Sequence, residues 1–236
     1  MKRWSIFIDI EGFKNIYQEK EERAIVLLGE LMRCIFRVGT KVFPEHHRRI
    51  FAHQIGDGFV IVSNASETSL TQPISICIAI MRTILLLHFG TTRAGISDGD
   101  FGDYYSCYPE EIRNHQEDHG LFRLGYGKMT ISQVMGDALI NSYKIQSKAP
   151  KGPCLFIDPR LEQYVPDDGL VIGRTERGDI AIDWINSSMD AAANVLNKMG
   201  YINAESSELK SLMEKYINDY NMKNEWAKNA RNLAFS

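Results

Sequence analysis

Apolar and polar positions along this chain fall into two repeating periods. Trp4–Gly12 carries the run Ile6, Phe7 and Ile8, then Asp9, Ile10, Glu11 and Gly12. A short apolar run of this kind predicts a buried strand over Ser5–Ile10 with an acid at its end. Gly12–Gln18 predicts one or two helical turns. In Glu21–Val38, Leu27, Leu28, Leu31, Met32, Ile35 and Phe36 recur at helical spacing and predict a stripe facing a sheet. Pro44 and the polar cluster Glu45–Arg49 predict a loop. Arg49–Gln54 and Phe59–Ser63 flank Gly56-Asp57-Gly58, the pattern of a hairpin with Asp57 in its turn. Ile74–His88 reads as a buried helix; the apolar stretch is too short for a membrane span and is interrupted by Arg82.

Thr91–Ser97 predicts a further strand running into Asp98-Gly99-Asp100. Phe101–Thr130 has weak periodicity and reads as an irregular insertion. Beyond it the pattern predicts a helix at Val134–Ile145, a strand at Cys154–Ile157 and a short turn or helix at Pro159–Tyr164. Edge strands at Leu170–Ile172 and Asp179–Asp183 follow, then helices at Asn186–Met199 and Glu205–Tyr220. The order strand–helix–hairpin–helix–strand–helix–strand suits an α+β fold with a ferredoxin-like core. Its sheet is mixed and mostly antiparallel, with helices on one face. Residues 1–184 form this core domain and residues 185–236 a C-terminal helical extension.

Composition narrows the function classes. A chain of 236 residues with 44% hydrophobic content can bury one good core. A net charge of -3 without a basic run argues against nucleic acid as a partner. No signal peptide or membrane span is visible. Cys34, Cys77, Cys107 and Cys154 are scattered, which predicts reduced thiols in a cytoplasmic protein. His46-His47 lacks a carboxylate or cysteine at ligand spacing and reads as loop surface.

The candidate chemistry centres on two acids. Asp9 ends an apolar strand, where a carboxylate is costly to bury without a cation or donors. If its strand neighbours the Gly56–Gly58 hairpin, Asp9 and Asp57 face one another. Two carboxylates with a backbone carbonyl make a hard-oxygen site for Mg²⁺ or Mn²⁺ on a nucleoside triphosphate. Gly12 leaves room for phosphate to approach backbone N–H groups where a helix starts.

Four motifs in order resemble the class III nucleotidyl cyclases. They are FIDIEGF at Phe7–Phe13, the hairpin Ile55–Phe59, Gly-Ile-x-x-Gly at Gly95–Gly99, and GDALINSYKIQ at Gly136–Gln146. The resemblance covers residues 4 to 160. It implies a nucleotidyl cyclase core over residues 1–184 and a head-to-tail homodimer with active sites at the subunit interface. Asp9, the Ile10 carbonyl and Asp57 would hold two divalent ions per site, Mn²⁺ or Mg²⁺. The backbone of Glu11, Gly12, Phe13 and Lys14 would bind the phosphates.

The chain departs from the purine cyclases where the base is read. The family's base-reading positions hold His53 and Gln133, and neither purine pair is present. The transition-state asparagine position falls on Ile140, with Asn141 next to it, and the later arginine is replaced by Lys144. A phosphate-binding arginine is replaced by Asp100, leaving Arg93 as the nearest substitute. The run Gly136–Pro150, with Lys215, Tyr216, Trp226 and Asn229, is similar to the bacterial Pycsar pyrimidine cyclases of anti-phage defence. That resemblance implies a uridylate or cytidylate cyclase. It would take UTP or CTP and make a cyclic nucleotide that activates a partner effector. The alternatives are an adenylate cyclase of the same fold and a degenerate nucleotide-binding or dimerisation module. A diguanylate cyclase is disfavoured, because its Gly-Gly-Asp/Glu-Glu-Phe hairpin is absent here.

Overall fold

The computed structural model describes residues 1–103, 108–118, 120–131, 134–175, 178–222 and 224–231. Its centre is the strand β1 (Arg3–Ile10), paired antiparallel on one side with β3 (Gly58–Ser63) and on the other with β4 (Thr92–Gly99). β2 (Ile50–Ile55) forms the hairpin with β3 and closes that edge of the sheet. The order β4-β1-β3-β2, with long helices after β1 and β3, is the expected ferredoxin-like core. The small strands β5 (Gly102–Asp103), β6 (Gln116–Asp118), β7 (Leu121–Leu124), β8 (Gly127–Thr130) and β9 (Val134–Met135) lie outside this sheet.

Beyond β4 the sheet is extended by β10 (Leu155–Ile157), β12 (Ile180–Ile182) and β11 (Ile172–Arg174), giving seven strands. Among the described strands only the β4–β10 pair is parallel. Of the two strands predicted at this edge, β11 is the edge and β12 lies inside it. Ile180 and Ile182 of β12 are buried in the main core.

The alternation along β1 sorts its side chains. Trp4, Ile6, Ile8 and Ile10 join the main core with Ile61 and Ile96 of the flanking strands. The helices α2 (Glu21–Arg37) and α3 (Thr71–His88) cover this face. Ser5, Phe7 and Asp9 point the other way, toward the helix α5 (Asp137–Lys148). The expectation of helices on one face therefore needs correction: α5 covers the opposite face, and the candidate site lies beneath it. Two glycines permit its approach. A Cβ on Gly95 would sit 2.5 Å from Gln146 N and 2.7 Å from Ser142 O, and Gly99 lies as close to Ala138.

α3 is long and apolar enough to cross a membrane, yet every residue from Pro73 to Leu85 is buried inside the fold. Its outer side packs on α6 (Asp190–Met199) and α7 (Ser206–Asp219), whose apolar residues belong to the same cluster as the strands. The buried Arg82 joins the layers: it donates to the carbonyls of Trp184, Ile185 and Ser187 and to Asn203.

The apolar stripe of α2 is shifted from the expected one. Ala24, Leu27, Leu31, Cys34 and Ile35 are buried, whereas Met32 is 45% and Phe36 68% exposed. Two adjoining stripes share one period, so spacing does not choose between them. The described part of residues 101–130 also holds more regular structure than expected. After the short helix α4 (Glu110–Arg113), β6–β8 form a small antiparallel sheet around the buried Phe122. Strands of three or four residues are too short to show alternation. The helix expected from Val134 begins at Asp137, after β9, because Gly136 at φ 135° interrupts the backbone.

Candidate active site

The register places the two acids of the metal hypothesis at one end of the sheet. Asp9 pairs with Gly58 on β3 and with Arg93 on β4. Asp57 precedes Gly58 in the hairpin turn, where Gly56 takes φ 63°. A Cβ on Gly58 would lie 3.1 Å from the Asp9 Cβ, so the turn sits directly against the strand end.

Asp9 is almost enclosed. Its Oδ2 accepts a 2.7 Å hydrogen bond from Gln146 Nε2 of α5. Its Oδ1 is buried and has no hydrogen-bond partner, although Arg93 Nε lies 3.5 Å away. Burial raises the carboxyl from 3.8 to about 7. Arg93 opposes the shift, Asp57 adds to it, the Gln146 bond opposes it and Glu11 adds again.

Glu11 turns inward. Its Oε1 accepts from Trp226 Nε1 at 3.2 Å and from Gly152 N at 3.3 Å, and its Oε2 lies 3.3 Å from Arg93 Nε. Burial lifts this carboxyl above its ordinary range, against the pull of Arg93 and the two donors. Trp226 belongs to α8 (Asn224–Arg231), which Asn229 also fastens to the Lys151 carbonyl at 2.7 Å. Arg93 thus lies between two acids, with one guanidinium nitrogen 3.5 Å from Gln146 Oε1.

The stretch expected to bind phosphate is only partly available. The Glu11 N–H is bonded to the Thr91 carbonyl at 2.9 Å, which corrects the expectation that donors begin at Glu11. Gly12 takes φ 76° and opens α1 (Phe13–Glu19) with no side-chain cap. The Phe13 ring packs against the core and stacks on Tyr17, while Lys14 is exposed.

Other expected residues lie apart from Asp9. Asn141 donates to the Asp98 carbonyl at 3.0 Å, and Asp98 pairs with Trp4, five residues along β1 from Asp9. That separation is about 16 Å of extended strand. Lys144 is exposed on α5. His53 lies on β2, across Val60 from Phe7, and its ring is 5.7 Å from that of Phe101. Gln133 falls outside the described residues. Ile10 ends β1 with its side chain in the main core.

Sequence reasoning gave no site role to Gln146 or to the carboxylate of Glu11, and cited Trp226 only for the resemblance. Ala138, Ser142 and Gln146 recur every fourth residue, which marks the buried face of α5 and was a usable signal. Among the described residues no group of three His, Cys, Asp or Glu is arranged to hold a metal. The available oxygen set is the two carboxylates and backbone. The unbonded Asp9 Oδ1 beside Asp57 is compatible with a hard divalent cation.

No family model and no curated protein matches the chain. Among solved structures, a bacterial light-regulated adenylyl cyclase aligns at TM-score 0.49 and 9% identity, over 85% of this chain and 56% of its own. A second structure of a bacterial light-regulated adenylyl cyclase gives 0.48 and 10%, over 92% and 57%. The dimeric guanylyl cyclase domain of the RhoGC fusion protein from the aquatic fungus Blastocladiella emersonii gives 0.49 and 11%, over 77% and 92%. The chain therefore spans little more than half the length of the two light-regulated proteins. Likeness at this level assigns no activity and no residue role.

Proposed function

We infer that the chain is a metal-dependent pyrimidine nucleotide cyclase working as a homodimer. It would convert UTP or CTP to the 3′,5′-cyclic monophosphate and pyrophosphate, and the product would activate an effector in anti-phage defence. The observation that carries the reading is the buried, unbonded Oδ1 of Asp9 next to Asp57 at the open end of β1. A carboxylate oxygen without a donor is costly unless a cation serves it.

In this reading Asp9, Asp57 and the Ile10 carbonyl hold Mn²⁺ or Mg²⁺. Such ions make the attacking 3′-hydroxyl more acidic and neutralise charge on the departing pyrophosphate. Gln146 fixes Asp9 through Oδ2 and so keeps Oδ1 presented. The N–H groups of Gly12–Lys14 receive phosphate oxygens. The 3′-oxygen bonds to the α-phosphorus as the bond from that phosphorus to pyrophosphate breaks. Asn141 lies five strand positions along the sheet from its own Asp9, and Lys144 is exposed on α5. They would serve the site of a second copy, which is why the reading requires a dimer. His53 and Gln133 would line the base site.

One observation favours a second reading, a degenerate nucleotide-binding module: the Arg93 cation already lies against Asp9. Incubation with each of the four ribonucleoside triphosphates and Mn²⁺, with mass-spectrometric identification of products, separates the readings. Cyclic UMP or cyclic CMP supports the first. Cyclic AMP supports an adenylate cyclase of the same fold. Nucleotide binding without any product supports the module.

A further inference from the structure

Arg93 is held between two carboxylates of unequal character. Toward Asp9 it offers Nε at 3.5 Å without hydrogen-bond geometry, and Asp9 Oδ1 stays unbonded. Toward Glu11 it offers the same nitrogen at 3.3 Å, again as an ion pair without hydrogen-bond geometry; what differs is that Glu11 has two other donors on its second oxygen. Glu11 cannot follow Arg93, because Trp226 and Gly152 grip its other oxygen from separate parts of the chain. Trp226 is itself seated: its ring lies 5.7 Å from that of Tyr216, whose side chain is buried against Phe89 and Thr91. α8 therefore reaches across 215 residues of sequence to set the direction of one carboxylate.

A divalent ion arriving at Asp9 repels the guanidinium, and a largely buried guanidinium needs another anion. We propose that Glu11, aimed by Trp226, is the acceptor onto which Arg93 moves when a divalent cation binds Asp9. On this account the C-terminal helix is part of the metal site without touching it, and Trp226 is a positioning residue. No bond to hydrogen changes in the exchange. Arg93 gives up its approach to Asp9 Oδ1 and keeps its pairing with Glu11 Oε2, while Asp9 Oδ1 turns to the incoming ion. The inference rests on the cyclase reading only in taking Asp9 as a ligand of a divalent cation.

The test is Mn²⁺ binding to the full chain, followed by calorimetry and by the electron spin resonance of free Mn²⁺, without nucleotide. Glu11→Gln should weaken binding about tenfold, because Asp9 is then the one anion left beside Arg93. Trp226→Phe keeps the ring, removes the donor, and should weaken it about threefold. Arg93→Gln should bind at least as tightly as the wild type. The decisive variant is Glu11→Gln with Arg93→Gln: once the competing cation is gone, the loss caused by Glu11→Gln should disappear. A merely structural role for Glu11 would not be rescued in this way. A double variant as weak as Glu11→Gln overturns the proposal, as does equal affinity in all five proteins. If Glu11→Gln does not fold, Trp226→Phe with and without Arg93→Gln gives the same comparison. A wild-type chain that binds no Mn²⁺ overturns the cyclase reading along with it.

Discussion

Gln146 Nε2 donates to Asp9 Oδ2 at 2.7 Å, across 137 residues of sequence. The bond is possible only because α5 lies on the backbone of β4. Gly95, two residues from Arg93, has no side chain to hold Gln146 away, and Gln146 then reaches the strand beyond. Small residues in a strand thus set the environment of an acid on its neighbour.

Gly95→Ala should therefore be costly. The new Cβ would meet helix backbone, which cannot swing aside as a flexible side chain can. We expect a loss of about 2–3 kcal/mol in urea unfolding, within the range for overpacked cores. Gly29 provides the contrast. It lies within α2 with nothing within 4 Å of an added Cβ, so Gly29→Ala should stabilise by about 0.5–1 kcal/mol. Equal effects of the two substitutions would mean that α5 does not lie where described.

The raised pKa of Asp9 sets a sign for pH dependence. Its folded value of about 7 lies above 3.8, so the folded chain holds the extra proton between these limits. Stability from this group is fully present below pH 3.8 and is lost as pH rises toward 7. Glu11, also raised chiefly by burial, acts in the same direction. Asp9→Asn has no such loss, even with Arg93, Asp57, Glu11 and Gln146 still around it. Without divalent ions it should exceed the wild type at pH 8 by up to about 4 kcal/mol. At pH 4 the two should nearly coincide. Denaturant titrations at both pH values check this, and a pH-independent difference would contradict it.

Much of this was legible in the sequence, for reasons that particular residues show. Ile6-Phe7-Ile8-Asp9 announced a buried strand with an acid at its end, and Gly56-Asp57-Gly58 its hairpin partner. Both are local patterns, and the register brings them together. The stripe of α2 was misplaced because Met32 and Phe36 share the period of Leu31 and Ile35. Gln146 was passed over because an amide in a helix reads as solvated until a carboxylate beneath it is known. The partnership of Glu11 with Trp226 has no local signature, since neither flanking pattern refers to the other.

Arg82 tests how the C-terminal helices are held. It is 5% exposed and donates to the Trp184, Ile185 and Ser187 carbonyls. Arg82→Met keeps much of the volume but leaves the Trp184 and Ser187 carbonyls without their donor, Ile185 keeping Ser206 Oγ, and should cost about 3 kcal/mol or more. Hydrogen exchange should show residues 184–220 losing protection first. Uniform loss across β1 and β3 would show that Arg82 supports the whole core equally.

The account stands on Asp9 and Asp57 gripping a triphosphate through divalent cations. The most direct measurement is pyrophosphate release in Mn²⁺ by the wild type, Asp9→Asn and Asp57→Asn, with UTP, CTP, ATP and GTP in parallel. Release confined to UTP or CTP, falling at least about 100-fold in both variants, is the predicted result. Undiminished release by Asp57→Asn, or none by the wild type with any of the four nucleotides, would contradict it.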